Sequence, residues 1–93
     1  MADSLRLSVY TPELQLFDGE VREVTAPGAY GEIGILPDHA ALVTTLEAGV
    51  LSYKQDGRVG RFQIAGGFAE VRDNVVTVLA DSSEPVGSCR GSS

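Results

Sequence analysis

The stretch "LRLSV" alternates apolar and polar positions: Leu5, Leu7 and Val9 share one face, Arg6 and Ser8 the other. A period of two marks a strand with one buried face. "TPE" interrupts the alternation at 11–13, and Leu14 and Leu16 resume it up to an expected turn at Asp18-Gly19. "EVREVTA" continues until Pro27-Gly28. Ile33, Ile35 and Leu36 form a short apolar run between Gly31 and Pro37. "ALVTTL" follows and is rich in β-branched residues, with a break expected at Ala48-Gly49. "VLSYKQ" and "RVGRFQI" flank Asp56-Gly57, a strong short-range hairpin signal. "GGFAEV" and "VVTVLA" flank Arg72-Asp73-Asn74, which predicts a second hairpin with a three-residue loop.

Helical patterning is nearly absent. In "DHAALVTTLEAG", Leu42 and Leu46 stand four apart and Gly49 suits a helix C-cap, but Val43, Thr44 and Thr45 favour a strand. The pattern therefore predicts an all-β fold of about eight to ten short strands. Its architecture is a flattened sandwich or barrel of two mostly antiparallel sheets, because no connection is long enough for a crossover helix. The domain is expected over residues 1–81. The stretch from Asp81, "DSSEPVGSCRGSS", is Ser- and Gly-rich, so residues 82–93 are expected to form a flexible tail.

Composition narrows the partners. The formal net charge of −6 argues against nucleic acid and against an anionic membrane surface, and leaves a basic protein partner open. One cysteine, Cys89, allows no intramolecular disulfide and fits a reducing compartment. "MADSLRLSVY" lacks the apolar core of a signal peptide, and no apolar run approaches a membrane span, so a soluble chain is expected.

The segment "GAYGEIGILPDHA" concentrates three glycines and the sole histidine, His39. It lacks the Lys and the Ser or Thr of a phosphate loop, so its glycines read as turn formers. His39 has no nucleophile in a suitable context and reads as a half-buried loop residue bonded to backbone after the Pro37 turn. One His, one Cys and scattered acids make no metal-ligand spacing, and Cys89 has no arranged electropositive setting. Neither a cofactor nor a metal is expected. Glu32 reads either as a solvated carboxylate or as a charged anchor for a basic partner.

Three ordered motifs carry a resemblance. "LSVYTPELQLFDGEV" resembles the opening of the epsilon subunit of F-type rotary ATP synthase (delta in mitochondria). "GEIGILPDHA" resembles that family's Gly-Glu-hydrophobic-Gly-hydrophobic-x-Pro-Gly-His-Ala signature, and "IAGGFAEVRDNVVTVLAD" the end of its N-terminal domain. The resemblance covers about residues 5–81. It implies a flattened two-sheet sandwich and a non-catalytic role in the central stalk. Such a subunit docks beside the gamma shaft, sits on the polar loops of the membrane c-ring, and couples proton- or sodium-driven rotation to ATP synthesis. It would lie peripherally on the cytoplasmic face of the bacterial inner membrane, or the equivalent organellar face. By resemblance, Gly31, Glu32, Ile33 and Gly34 face the c-ring, while Thr11, Pro37, His39 and Val43 flank gamma. The family's Gly is Asp38 here, so either φ at 38 is not positive or aspartate is tolerated there. The sequence beyond Asp81 does not match the family's C-terminal helical hairpin, so nucleotide binding and inhibition are not carried over. The competing readings are a stand-alone β-sandwich binding module and a small hydrolase using His39.

Overall fold

A computed structural model describes residues 3–81 and 83–85. It is all-β, with strands β1 (Leu5–Tyr10), β2 (Gln15–Val21), β3 (Glu23–Gly28), β4 (Gly31–Ile35), β5 (Leu42–Gln55), β6 (Arg58–Arg72), β7 (Val75–Ala80) and β8 (Ser83–Pro85). In β1, Leu5, Leu7 and Val9 are buried and Arg6 is exposed, as the alternation predicts, but Ser8 on the polar face is buried as well, with its hydroxyl on Asp18. Residues 42–49 of "DHAALVTTLEAG" are strand, as the β-branched residues predict.

Turn chemistry explains the hairpins. Asp56-Gly57 joins β5 to β6, with Gln55 opposite Arg58 and Gly57 at φ 79°. The β6–β7 loop has two residues rather than the expected three, because Arg72 pairs with Val75. Asp73 and Asn74 both take left-handed φ, 52° and 63°, as a type I′ turn demands. The expected turn at Asp18-Gly19 is instead the middle of β2, with Ser8 opposite Asp18 and Leu7 opposite Gly19. The Phe17 ring packs over the glycine: a Cβ would stand 3.2 Å from it. The β1–β2 reversal occurs at 11–14, where the Thr11 N–H donates to the Leu14 carbonyl at 2.8 Å. The expected break at Ala48-Gly49 is also absent. β5 runs through it, and Gly49 makes room for the Pro27 ring, 3.0 Å from where a Cβ would be.

The two expected sheets are one. The ladder runs β2-β1-β7-β6-β5-β3-β4 without a gap, and β8 pairs with β6. The cause is the length of β5 and β6, 14 and 15 residues, which carry the hairpin through the whole sheet. Midway, both strands change which parity faces inward. Leu46 and then Leu51 are buried in β5; Ile64 and then Ala69 are buried in β6. Gly66 and Gly67, at φ 124° and 146°, allow the change. A side chain at Gly67 would collide with the Leu79 carbonyl. The sheet curls around this point, so residues from β1 and β7 join residues from β3 and β4 in one apolar cluster.

All ladders are antiparallel except β1–β7, a parallel pair that links the first strand to the seventh. A seam draws β2 towards β5. The Phe17 and Tyr53 rings lie 4.4 Å apart, the Gln55 amide donates to the Glu20 carbonyl at 3.0 Å, and Arg22 forks onto Asp56. Ser83–Pro85, assigned by sequence to the tail, pairs antiparallel with Phe62–Ile64. The rest of that assignment, Val86 and Cys89 included, lies outside the described residues.

Candidate functional site

The first surface is the β3–β4 hairpin. Gly28 pairs with Gly31 across the two-residue turn Ala29-Tyr30. A Cβ at Gly28 would stand 2.8 Å from the Gly31 carbonyl oxygen, and Gly31 has φ 126°, so both glycines are required by geometry. Tyr30 projects from the tip at 104% relative exposure. Alternation then divides the four residues expected at the ring. Glu32 and Gly34 face solvent, with open space at Gly34; Ile33 packs against the core.

The second is the loop at 36–41. The His39 N–H donates to the Leu36 carbonyl at 3.2 Å, closing a turn around Pro37. Asp38 has φ 66°, so of the two readings left by sequence, aspartate tolerated at positive φ is the one observed. Its backbone N–H donates to Asn74 Oδ1 at 2.6 Å, and Asn74 Nδ2 donates back to Asp38 Oδ1 at 3.2 Å. The Asn74 carbonyl accepts from the Arg6 N–H at 2.9 Å. The loop is thereby tied to the β6–β7 turn and to β1. His39 is half-buried. Its Nδ1 lies 2.8 Å from the Ala40 carbonyl oxygen, an acceptor only, so Nδ1 carries the proton. The ring is engaged by backbone, as the sequence reading has it.

The third surface was not anticipated. On the outer face, Thr45, Phe68, Leu79 and Tyr10 form one cross-strand row over β5, β6, β7 and β1. Phe68 and Leu79 are about half exposed, and Val43, two residues from Thr45, is 73% exposed. A shallow groove at the end of the row is lined by Tyr10, Thr11, Pro12, Phe68 and Leu79. Thr11 therefore sits at one end of this face and Val43 on it. Pro37 and His39 lie at the opposite end of β7, beside Asn74. The four residues expected at gamma frame a face rather than form a cluster. The signal for Phe68 and Leu79 is present in sequence: both are apolar at positions out of phase with Ala69, Val71, Val76, Val78 and Ala80, which are buried.

Electrostatics at the periphery is local. Arg6 forks onto Asp18 at 2.9 and 2.8 Å, and Ser8 Oγ donates to Asp18 Oδ1 at 3.2 Å. The Arg6 hydrogen bond holds the Asp18 carboxyl below the usual carboxylate range. Asp56 raises Arg22 in the same way. These pairs are exposed, so they set register more than they add stability.

A profile of the family described as "ATP synthase, Delta/Epsilon chain, beta-sandwich domain" matches residues 4–86. The chain belongs to this family. The ATP synthase epsilon chain of Desulfitobacterium hafniense is 47% identical over 85 residues, 91% of this chain and 64% of that protein. The epsilon chain of Desulforamulus reducens is 48% identical over 84 residues, 90% and 64% of the two chains. This chain thus spans about two thirds of the length of these relatives, at 64%. Among solved structures, a chain of the Euglena gracilis mitochondrial ATP synthase (OSCP/F1/c-ring) superposes with TM-score 0.86 at 27% identity, covering 97% of this chain and 58% of that one. A chain of the Tetrahymena thermophila mitochondrial ATP synthase central stalk and c-ring has the same fold, with TM-score 0.74 at 23% identity over 86% of this chain and 65% of that one.

Proposed function

We infer that this chain is the β-sandwich domain of a non-catalytic central-stalk subunit of an ion-driven ATP synthase. Family membership over residues 4–86 is the observation that carries the reading. It docks the gamma shaft to the c-ring and transmits ion-driven rotation towards the catalytic head, and it reaches the membrane surface only through the complex. The single curled sheet is read as a sandwich whose two layers share the β5–β6 hairpin, in keeping with the family's β-sandwich domain.

The geometry offers two contact surfaces of different chemistry. The outer apolar row of Phe68, Leu79 and Tyr10, framed by Thr11, Val43, Pro37 and His39, takes the gamma shaft, because half-exposed aromatic and aliphatic side chains suit a lasting apolar contact. The β3–β4 tip, with Glu32 facing outward beside open space at Gly34, takes the polar ring loops. His39 braces the loop between the two surfaces through its bond to the Ala40 carbonyl.

Reconstitution tests the reading. Added to ATP synthase membranes stripped of their epsilon chain, the protein is expected to restore proton-driven ATP synthesis. Failure to restore any, with the protein shown to be folded, contradicts the proposal.

A further inference from the structure

Aspartate precedes glycine twice in this chain, at 18–19 and at 56–57. Such a pair can rearrange, because glycine has no side chain to keep its nitrogen from the aspartate Cγ. The fold treats the two pairs in opposite ways. Asp18-Gly19 lies inside β2, with Gly19 opposite Leu7. The Arg6 N–H turns towards β7, onto the Asn74 carbonyl, so Leu7, of the other phase, bonds to Gly19 and engages its N–H. The Asp18 carboxylate, 34% exposed, is held on both oxygens, by Arg6 at 2.9 and 2.8 Å and by Ser8 at 3.2 Å.

Asp56-Gly57 is the turn itself, between the paired residues Gln55 and Arg58. The Asp56 side chain is 81% exposed. Nothing stands within 4 Å of where a Gly57 Cβ would be, and among the described residues no hydrogen bond holds the Gly57 N–H. One restraint remains. Arg22 donates from Nε and Nη2 to the two Asp56 oxygens, at 3.1 and 3.0 Å. Arg22 is itself anchored, by Nη1 on the Asp3 carbonyl at 3.2 Å and by its N–H on the Lys54 carbonyl at 2.7 Å.

We propose that Asp56-Gly57 is a site of spontaneous isoaspartate formation, and that Arg22 restrains the reaction. The Gly57 nitrogen attacks Asp56 Cγ. The Gly57 N–H proton and one proton from solvent leave with a carboxylate oxygen as water, and a succinimide ring closes. Water then adds at the Asp56 main-chain carbonyl carbon and breaks its bond to the nitrogen. The chain now runs through Cβ and Cγ, the old main-chain carbonyl is a carboxylate, and a proton returns to solvent. Addition at Cγ instead restores aspartate. Arg22 slows closure because its fork occupies both oxygens, and the carboxyl must leave that fork to meet the nitrogen. The isoaspartyl product carries one more main-chain carbon in a turn whose length the Gln55–Arg58 pair fixes, and its carboxylate sits one bond nearer the main chain. The Arg22 fork is lost. The seam between β2 and β5 then rests on the Gln55 amide at the Glu20 carbonyl and on the Phe17–Tyr53 rings.

The test ages the folded chain at neutral pH and physiological temperature and reads isoaspartate at each pair by peptide mapping, beside the same chain in urea. In urea both pairs are expected to isomerise at similar rates. In the folded chain isoaspartate is expected at Asp56, with Asp18 at least about tenfold slower. Equal folded rates at the two pairs, or none at Asp56 while the urea sample reacts, overturn the site. Arg22→Gln, verified as folded, is expected to speed the reaction at Asp56 about two- to fivefold, the scale of an exposed ion pair, and to leave Asp18 unchanged. An unchanged rate at Asp56 contradicts the restraint. A second pair of variants needs no change at Arg22. Asp56→Asn and Asp18→Asn close the same ring with loss of ammonia and so react sooner. The first is expected to deamidate at least about tenfold faster than the second in the folded state, and equal rates contradict the proposal.

Discussion

Asp38 and Asn74 hold each other across 36 positions of chain: the Asp38 N–H donates to the Asn74 side-chain oxygen at 2.6 Å, and the Asn74 amide donates back to the carboxylate at 3.2 Å. Both residues sit at positive φ, 66° and 63°. A family position that usually holds glycine is thus occupied by a residue that tolerates the left-handed region and uses its side chain there. Replacing Asn74 separates the clamp from the turn. Asn74→Gly keeps the turn, removes the clamp and is expected to cost about 1 kcal/mol, with faster exchange at the Asp38 amide. Asn74→Ala is expected to cost roughly 1 kcal/mol more, because alanine resists positive φ. Urea denaturation of both variants checks the order; a more stable alanine variant contradicts it.

The fold corner rests on Gly67. Its φ of 146° and the Leu79 carbonyl beside it leave no place for a side chain. Gly67→Ala is expected to lower stability by about 1–3 kcal/mol, whereas Gly34→Ala, in open space on the same sheet, stays within about 1 kcal/mol of the parent. Thermal melts of the pair test whether the corner or glycine itself matters.

Phe68 and Leu79 face solvent across the β6–β7 ladder. Substituting both with serine is expected to leave stability within about 1 kcal/mol while weakening gamma binding by roughly 2 kcal/mol or more. A melting shift large enough to unfold the domain would show that these side chains serve the core instead.

Asp18 gives a pH prediction. Its folded-state pKa is lowered, first by the Arg6 hydrogen bond. A depressed carboxylate contributes stability that is present above its unfolded pKa of about 3.9 and is lost as pH falls through the lower folded value. Carbon-13 NMR should show Asp18 titrating below the ordinary aspartate range, and Arg6→Gln should move it upwards. An unmoved titration contradicts the assignment.

Much of this was legible in the residues. Alternation in "LRLSV" places Leu5, Leu7 and Val9 in the core, and Asp56-Gly57 between two β-capable runs marks the hairpin turn that joins β5 to β6. Glycines misled where they pack under rings inside strands instead of turning the chain. Gly19 under the Phe17 ring and Gly49 under Pro27 looked like breaks but lie inside strands. For the same reason β5 and β6 looked like several short strands, and one sheet looked like two. The candidate surfaces were partly visible. Motifs carried Glu32 and His39, but alternation alone could show that Ile33 turns inward and that Phe68 and Leu79 turn out. The Asp38–Asn74 clamp joins residues far apart in sequence, and no local pattern announces it.

The central claim is tested most directly by calorimetric titration of the chain with the gamma subunit of an epsilon-bearing ATP synthase, at two salt concentrations. The account predicts saturable one-to-one binding that changes little with salt, since the proposed contact is the apolar row of Phe68 and Leu79, and that is weakened when both are serine. No saturable binding by the folded chain, or equal binding by the serine variant, would contradict it.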